Sequence, residues 1–379
     1  MMAVREPSFT IGIEEEYLLV DRTTRDLVHE PPTALMREFE TQLKGRFSRE
    51  QLRPQVEVGT SVCTSTSEAR AELAFLRRSV SQMATEYGLA LIAASTHPFG
   101  SWKDQRRTDK PRYELLQKNL QLVAQRLLTC GMHVHVGIED ASLRIDTMNQ
   151  VSYFLPHLLA LSTSSPFWEG IETGLRSYRL CVFDELPRTG LPERFESFGE
   201  YKRAVDLLAS AGLIDDASML WWDVRPSAHF PTLEMRITDV CTMLDDAICC
   251  AAFYRCVCRM LYRLRRDNQR WRVYATMLVS ENRWRAQRYG MDSGMVDFGR
   301  GETVDYPDLM EELSEILRPD AEHFGCIDEI EHFRTILSRG TSAHLQTAKY
   351  HSALEGGATH EEAMRDVVDA LIQATIADT

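Results

Sequence analysis

The chain has 379 residues, of which 44% are hydrophobic and 26% are charged, as is ordinary for a soluble globular enzyme. Its 43 Lys and Arg residues against 56 Asp and Glu residues give a formal net charge of −13, which argues against a nucleic-acid-binding protein, because such proteins need a basic surface. No apolar run approaches the roughly 20 residues of a membrane helix, and the N-terminal stretch MMAVREPSFT has no apolar signal core, so we expect a cytoplasmic protein with no membrane partner.

Strand-like and helix-like stretches alternate in the first part of the chain. Alternating or continuous apolar patterns predict strands, and apolar residues three or four apart predict helices. The predicted strands cover residues 8–21, 52–60, 89–96, 132–138 and 232–239. The predicted helices cover residues 65–88, 111–131, 147–166 (bent at Pro156) and 197–212, and residues 165–195 are predicted to form a long functional loop.

The chain from Val240 onward has an almost entirely helical pattern, down to residues 359–375. No repeat, low-complexity run or Pro/Gly/Ser-rich linker divides the sequence, so we expect a single domain over residues 1–379, strand-rich over 8–240 and helical over 241–379. The predicted fold class is α+β, with a mostly antiparallel sheet and helices packed on one face.

Four of the predicted strands have one apolar face and one face rich in acids and imidazoles. Residues two apart in a strand share a face. The polar faces carry Glu14 and Glu16, then Gln55 and Glu57, then His133 and His135, and then Glu234 and Arg236. Glu15 falls on the apolar face of the first strand, which requires a local irregularity or an exposed position.

A polar face on a single strand is usually the solvent side of a half-exposed sheet. Four strands that select carboxylates and imidazoles favour another interpretation, because crowded carboxylates repel one another unless cations compensate them. Mg²⁺ takes oxygen ligands, and Mn²⁺ accepts carboxylate and imidazole together. The sequence therefore predicts a site for several cations on this face.

A cysteine cluster occurs in the helical part, in CCAAFYRCVC. Cys249, Cys250, Cys256 and Cys258 contain no Cys-x-x-Cys pair and lie in an apolar, helical stretch. Buried free cysteines are a simpler interpretation than a metal site, because a reduced cysteine behaves as a small hydrophobic residue.

The motifs together resemble those of glutamate–cysteine ligase family 2, a group of ATP-dependent carboxylate–amine ligases in the glutamine synthetase-like superfamily. The resemblance rests on GIEEEYLLVD, EQLRPQVEVGT, STHPF, GMHVHVG, RSYR before PRTGLP, and TLEMRITD, in this order over roughly residues 10–300. It implies a saddle-shaped antiparallel sheet of about six strands whose concave face binds ATP and two or three Mg²⁺ or Mn²⁺ ions. It also implies a homodimer.

The resemblance also implies roles for individual residues. Arg236 is implied as an anion-binding arginine, and His135 lies at the position near the ATP phosphates. Asp239 fits the pattern too, with a structural role as the alternative. The implied metal ligands are Glu14, Glu16, Glu50, Glu57, His133 and Glu234.

The implied reaction moves the γ-phosphoryl group of ATP onto a carboxylate, and an amine then attacks the acyl phosphate. Arginines are suited to bind the carboxylate and the transferring phosphoryl group, because a guanidinium forms bidentate hydrogen bonds with such anions. Besides Arg236, the candidate catalytic residues are Arg179 and Arg225, and the latter is also a candidate for ATP binding. For Arg176, Arg179 and Arg225, a solvated surface position or a structural ion pair is an equal alternative to a role in substrate binding.

The segment SENRWRAQRYG offers Asn282, Arg283 and Arg288 as residues that close over the nucleotide, and Arg283 is the candidate nucleotide contact. An amphipathic basic helix is the simpler interpretation of this segment. His97 in STHPF is as compatible with a buried, hydrogen-bonded histidine as with a catalytic one.

The expected substrates are glutamate and cysteine, although the motifs specify ATP, metal and a carboxylate more directly than they specify the amine. One alternative is a metal-dependent hydrolase that holds Zn²⁺ with the His/Glu cluster, for which repeated strand–helix units around a barrel are expected. A second alternative is a binding module without chemistry, for which missing ligands are expected.

Overall fold

The computed structural model describes residues 5–379 and contains short and long strands with intervening helices. The strands are β1 (Ile11–Asp21), β2 (Phe47–Arg49), β3 (Gln55–Gly59), β4 (Leu89–Ile92), β5 (Met132–Gly137), β6 (Phe167–Trp168), β7 (Ile171–Glu172), β8 (Thr189–Gly190), β9 (Trp221–Trp222), β10 (Val224–Pro226), β11 (Thr232–Met235), β12 (Met295–Asp297) and β13 (Glu302–Val304).

The helices of the first half connect these strands, and those of the second half follow one another. They are α1 (Thr33–Gln42), α2 (Thr66–Glu86), α3 (Pro111–Leu120), α4 (Leu122–Gln125), α5 (Ala141–Val151), α6 (Leu155–Ser162), α7 (Arg179–Phe183), α8 (Phe198–Ser210), α9 (Leu244–Arg266), α10 (Thr276–Tyr289), α11 (Tyr306–Phe324), α12 (Ile327–Glu331), α13 (Phe333–Arg339), α14 (Ser342–Glu355) and α15 (His360–Ile376). None of the helices in the described part of the chain has the length and apolar character needed to span a bilayer.

Within residues 5–379, seven strands form the main sheet, in the order β10-β11-β5-β1-β3-β2, and β4 pairs with the second half of β1. Every pairing in this sheet is antiparallel. The predicted α+β class with an antiparallel sheet is therefore confirmed. The pattern missed β2 and β10, because three-residue strands are too short to show a period of two.

The apolar face of the sheet packs against helices α2, α5, α9 and α15. The inward side chains of β1 and β5, such as Ile13, Tyr17 and Val134, are fully buried there. The opposite face carries the carboxylates, imidazoles and arginines of the predicted site. The sheet therefore has one side in the core and one side available for function, as its alternation of residue types indicates.

Two predicted helices are interrupted in the structure. The helix predicted over 111–131 ends at Leu120, because Gln121 has a left-handed φ of 50°, and only the short α4 follows. The helix predicted over 147–166 begins earlier, at Ala141, and the chain breaks it after Val151, so that Pro156 lies in the first turn of α6. A proline is tolerated there because its missing N–H would have no intrahelical partner.

Other predictions hold with small changes. The helix over 65–88 is α2, and the Ser65 side chain accepts a hydrogen bond from the Glu68 backbone N–H. Cys249, Cys250, Cys256 and Cys258 are buried and free on α9, and none belongs to a metal-ligand group among residues 5–379. The segment 165–195, predicted as a long loop, instead contains the short elements β6, β7, α7 and β8, and its functional role stays a prediction.

Glu15 is neither exposed nor at an irregularity, so that prediction was wrong. Its carboxylate is fully buried on the apolar face. It accepts hydrogen bonds from Arg77 Nε at 2.8 Å, from Arg77 Nη2 at 2.6 Å and from the Tyr17 hydroxyl. Arg77, from α2, also donates to the backbone carbonyls of Cys241 and Thr242, each at 2.7 Å. A charged group is stable in the core only when it is paired and hydrogen-bonded, and both Glu15 and Arg77 meet this condition.

We predict that Arg77→Met lowers the free energy of unfolding by about 3–5 kcal/mol, because it leaves the Glu15 carboxylate buried without a counter-charge. Urea denaturation measures this change. Arg78→Met is the matched control, since Arg78 is the exposed neighbour on the same helix and its loss is expected to change stability by less than about 0.5 kcal/mol. Equal effects of the two substitutions would contradict a structural role for the buried pair.

Candidate active site

The register of the sheet brings the predicted site residues of neighbouring strands next to one another. Glu14 of β1 lies opposite His133 of β5, and Glu16 lies opposite Glu57 of β3. On the other side of β5, His135 lies opposite Glu234 of β11, and Glu234 in turn lies opposite Arg225 of β10. Because paired residues on one face of a sheet have Cβ atoms about 5 Å apart, these functional groups form a continuous row.

This row borders an acidic cavity of about 400 Å³. Ten of the residues that the sequence predicted as catalytic, nucleotide-binding or metal-binding line it. These residues are Glu14, Glu16, Glu50, Glu57, His133, His135, Arg179, Arg225, Glu234 and Arg236.

The carboxylates and imidazoles of the cavity fall into three overlapping groups of potential metal ligands. Within each group the ligand atoms lie within 4.8 Å of one another. Glu14 belongs to two of the groups, and so does Glu57. The groups are Glu14 with Glu57 and His133, Glu14 with His135 and Glu234, and Glu16 with Glu50 and Glu57.

The histidines have the environment of metal ligands. His135 Nδ1 lies 2.9 Å from the Thr232 hydroxyl, and its Nε2 lies 3.5 Å from Glu14 Oε1, a second potential metal ligand. A metal-ligating histidine typically holds a hydrogen bond on its other ring nitrogen, which orients the ring. The mixed carboxylate and imidazole donors fit a hard divalent cation such as Mg²⁺ or Mn²⁺.

Electrostatic repulsion is strongest around Glu16 and Glu57. Burial and the negative charge of Glu50 raise the pKa of Glu16 to about 7, although Arg179 opposes the shift. Burial also raises the pKa of Glu57 well above its usual range, and the charges of Glu50, Glu14 and Glu16 add to the effect. These carboxylates are therefore strained in their charged form, and a bound cation would relieve the repulsion.

In the other half of the row, arginines of the protein itself compensate the negative charge of Glu234. Burial favours the neutral form of Glu234, but the cations of Arg236 and Arg225 outweigh it and hold the pKa of this carboxyl well below its usual range. Burial, together with Arg236, lowers the pKa of His133 to about 4. The imidazole of His133 is thus neutral at physiological pH, which is the protonation state that binds a metal.

Three arginines surround this part of the cavity. Arg225 forms a bidentate pair with Glu234, with Nε at 2.9 Å and Nη2 at 3.2 Å, and its Nη1 donates to the backbone carbonyls of Ser218 and Leu220. Arg236 also donates to Glu234, through Nη1, but its buried Nε has no hydrogen-bond partner. Arg236 therefore keeps donor capacity for an anion in the cavity.

Arg179 is buried and held from its back side, where its guanidinium donates to the backbone carbonyls of Arg236 and Ile237, each at 3.2 Å. A Cβ atom on Gly131 would lie only 2.4 Å from Arg179 Nη2, so a larger residue there would displace the guanidinium. The same glycine donates its backbone N–H to Glu16 Oε2 at 2.7 Å. Gly131 thus positions both an arginine and a carboxylate of the site.

Arg283, the candidate nucleotide contact, does not line the acidic cavity, and neither do Asn282 and Arg288. Its guanidinium makes bidentate hydrogen bonds to Asp184 and to Asp223, at 2.7–3.1 Å. Since both carboxylates occupy its donors, the structure gives this arginine a role in holding α10 against the loops that carry the acids. We leave Arg283 out of the proposed nucleotide site.

Further residues that the sequence singled out also have structural partners. His97 is buried, its Nε2 lies 2.9 Å from the Arg25 carbonyl, and its Nδ1 accepts the backbone N–H of Gly100 at 2.7 Å. Arg176 pairs with Asp292, and Asp239 accepts hydrogen bonds from Ser164, Ser165 and Ser177. Asn282 exchanges hydrogen bonds with the backbone of Val296, and Arg288 donates to the Gly174 carbonyl.

The sequence analysis missed the apolar end of the acidic cavity. It is formed by side chains from α3, α7 and the segments near residues 127 and 221, none of which has a pattern that distinguishes it from core packing. The residues are Tyr113, Leu116, Leu120, Leu127, Phe183, Leu186 and Trp221.

Comparisons with known proteins identify the class of this fold. The structure of the Francisella tularensis glutamate–cysteine ligase in complex with AMP superposes with a TM-score of 0.69 at 12% sequence identity, covering 97% of this chain and 89% of that one. A bifunctional glutathione synthetase from Pasteurella multocida gives a TM-score of 0.68 at 15% identity, covering 96% of this chain and 52% of that one. The chain therefore has the fold of a glutamate–cysteine ligase.

The sequence relationship is closer. A Rhodospirillum rubrum protein provisionally named glutamate–cysteine ligase 2 is 61% identical over 378 residues, covering 99% of this chain and 97% of its own length. A protein of the same provisional name from Jannaschia sp. is 54% identical over 365 residues, covering 96% of each. The model of glutamate–cysteine ligase family 2 matches residues 10–370, and the chain belongs to this family.

We predict that Glu57→Gln weakens Mn²⁺ binding at least about tenfold, because Glu57 belongs to two of the ligand groups and the substitution removes its charge. Isothermal titration calorimetry of the metal-free protein measures the affinity. Glu315→Gln is the control, since Glu315 is exposed on α11, away from the cavity. Unchanged Mn²⁺ affinity in the Glu57 variant would count against a metal centre at these residues.

Proposed function

We propose that the protein is an ATP-dependent carboxylate–amine ligase that joins glutamate to cysteine through its γ-carboxylate, by way of an acyl phosphate. The observation that carries the proposal is the row of three overlapping metal-ligand groups beside three arginines in one cavity. Membership in glutamate–cysteine ligase family 2 and the fold shared with a ligase crystallised with AMP support it.

The reaction requires two steps. In the first, a carboxylate oxygen attacks the γ-phosphorus of ATP, the bond from that phosphorus to the β,γ-bridging oxygen breaks, and ADP leaves. In the second, the amine nitrogen attacks the acyl carbon, the carbon–oxygen bond to phosphate breaks, and the amine loses a proton. Phosphoryl transfer depends mainly on positioning and charge neutralisation, and divalent cations held by the carboxylates and imidazoles would neutralise the phosphate oxygens.

The arginines would act on the carboxylate substrate and on the transferring group. Arg236 lies between Glu234 and His133 and has an unsatisfied buried Nε, so it is suited to hold an anion next to the metal ligands. Arg179 faces Glu16 across Gly131, at the other end of the row. Arg225 pairs with Glu234 and borders the cavity, and these contacts support a positioning role for it.

The structure does not favour the two alternatives. The main sheet in residues 5–379 is antiparallel throughout, whereas the hydrolase alternative expected a barrel of repeated strand–helix units. A binding module without chemistry expected missing ligands, yet the six predicted metal ligands all line one cavity. Homodimer formation and a cytoplasmic location stay predictions.

The experiment that tests the proposal is phosphate release from ATP and Mg²⁺, measured with glutamate and a panel of amines that includes cysteine. Release that requires both glutamate and cysteine supports the proposed reaction. Release with glutamate and a different amine keeps the ligase and replaces the acceptor. The absence of release with every combination, after metal loading is verified, would refute the ligase.

We predict that Glu16→Gln reduces phosphate release at least about a hundredfold while leaving the thermal midpoint of unfolding within a few degrees of the wild-type value. The glutamine keeps an acceptor for the Gly131 N–H but removes the negative charge that faces the cavity. Phosphate release and thermal unfolding are measured on the same preparations, with Glu315→Gln as the control. Full activity in the Glu16 variant would remove this residue from the proposed machinery.

We predict that Gly131→Ala also lowers phosphate release, because the new methyl group would displace the Arg179 guanidinium that lies 2.4 Å from the Cβ position. The loss is expected to be at least about tenfold, since a misplaced contact in an active site has effects of this order. Gly88→Ala is unsuitable as a control, because Gly88 has a left-handed φ of 72°. A Cβ atom at Gly199, in contrast, would meet no atom closer than 3.6 Å. Gly199→Ala is therefore the matched control, and an equal loss in both variants would rule out a specific effect at Gly131.

A further inference from the structure

Asp239 follows β11 and pairs through its backbone with Gly131, the glycine next to the Arg179 guanidinium. Its carboxylate is fully buried and does not line the acidic cavity, so its oxygens cannot touch a substrate there. Its hydrogen bonds nevertheless end on the segment that leads to Arg179, one of the arginines that border the cavity. Any effect of this buried charge on the reaction therefore passes through a neighbouring residue.

The Asp239 carboxylate holds together the two ends of the segment that leads into α7. Its Oδ2 accepts hydrogen bonds from the Ser164 backbone N–H and the Ser165 hydroxyl, each at 2.8 Å, and its Oδ1 accepts the Ser177 hydroxyl at 2.9 Å. Because the Ser165 hydroxyl donates its only proton to Asp239, its oxygen is left as an acceptor, and the Arg179 backbone N–H donates to it at 3.1 Å. Arg179 is the first residue of α7, where a backbone N–H has no partner within the helix. Asp239 thus fixes the backbone from which the Arg179 side chain extends.

Arg179 also needs a counter-charge, because a buried cation is costly unless an opposite charge compensates it. The partners that hold its guanidinium from behind, the backbone carbonyls of Arg236 and Ile237, are neutral. Burial lowers the pKa of Arg179, and the charge of Asp239 opposes this effect more strongly than the charge of Glu16 does. Burial in turn raises the pKa of Asp239, and the Arg179 cation opposes that shift. The two buried groups therefore stabilise each other's charged form.

We propose that Asp239 is a positioning residue that keeps the Arg179 guanidinium in place for a substrate anion in the acidic cavity, an assignment that rests on the function proposed above. Two carboxylates attract this arginine, Asp239 from behind the cavity and Glu16 from within it. While Asp239 is charged, the guanidinium stays on its backbone carbonyls and leaves Glu16 to the proposed metal. Without that charge, Glu16 attracts the guanidinium unopposed and draws it away from the position where it meets the substrate.

Asp239→Asn tests the assignment, because it removes the charge and allows the hydrogen bonds to remain. The asparagine oxygen can accept from Ser164 and Ser165, and its amide can donate to the Ser177 hydroxyl. We expect kcat/KM for glutamate, measured by phosphate release from ATP and Mg²⁺ with the amine that supports release, to fall at least about tenfold. The thermal midpoint of unfolding is expected to stay within a few degrees of the wild-type value.

A double-mutant cycle with Arg179→Gln separates this role from a purely structural one. Asp239→Asn is expected to divide its loss between kcat and KM in the same proportion as Arg179→Gln, and to cause no further loss in the Arg179→Gln background, because both variants act on one guanidinium. Ser165→Ala removes the link between the carboxylate and the Arg179 backbone. It is expected to behave in the same way, and it decides the question if the Asp239 variant does not fold.

Asp320→Asn is the matched control, since Asp320 is equally buried but pairs with two arginines of α9. It is expected to leave kcat/KM for glutamate unchanged.

The assignment is overturned if Asp239→Asn keeps full kcat/KM, if its loss is undiminished in the Arg179→Gln background, or if Asp320→Asn causes the same loss. Full activity of Arg179→Gln would also overturn it and leave the ligase in place, because Asp239 would then have no functional arginine to position. A wild-type protein that releases no phosphate with any combination of carboxylate and amine would instead refute the proposed function, and the assignment with it.

Discussion

The buried ion pair between Glu15 and Arg77 is the constraint on which the geometry of the site depends. β1 is the central strand, paired with β3, β4 and β5, and Glu14 and Glu16 point to the cavity only while its register holds. A slip of one residue would exchange the two faces of the strand and bury Glu14 and Glu16 without partners. Because Arg77 offers a bidentate partner only to the carboxylate at position 15, the pair stabilises the register that exposes its two neighbours.

On the cavity face of the sheet, in contrast, the carboxylates are crowded, and the cations of the protein do not fully compensate their charge. Arg225 and Arg236 neutralise Glu234, but Glu16, Glu50 and Glu57 lie together at the other end of the row. Burial, together with their mutual repulsion, raises the pKa of Glu16 and of Glu57, so in the protein alone part of this charge is lost to protons. A bound cation would compete with those protons and would recover the stability lost to crowding.

Much of the site could be predicted from the sequence because its residues lie on long strands with a period of two. Glu14, Glu16, Glu57, His133 and Glu234 each sit on such a strand, and the sheet register then brings them together. Glu50 lies outside a regular strand, so only the resemblance to the family pointed to it.

The predictions failed where a residue's role depends on a partner that is distant in the sequence. Glu15 looked misplaced because its partner Arg77 lies on an apparently amphipathic helix, 62 positions away. Arg283 looked free to bind a nucleotide because its partners Asp184 and Asp223 lie in loops without a pattern. Periodicity predicts which face of a strand or helix a side chain occupies. It does not predict which charged residue, distant in the sequence, that side chain will contact.

Glu14 and Glu57 join the separate groups of potential metal ligands into one row. Each of these carboxylates belongs to two groups, so a change at either would disturb both of the groups that share it. The arginines and the apolar side chains of the acidic cavity belong to none of these groups. On the proposed function they would set the choice of carboxylate and amine, so selectivity could change without moving the ligands that phosphoryl transfer needs.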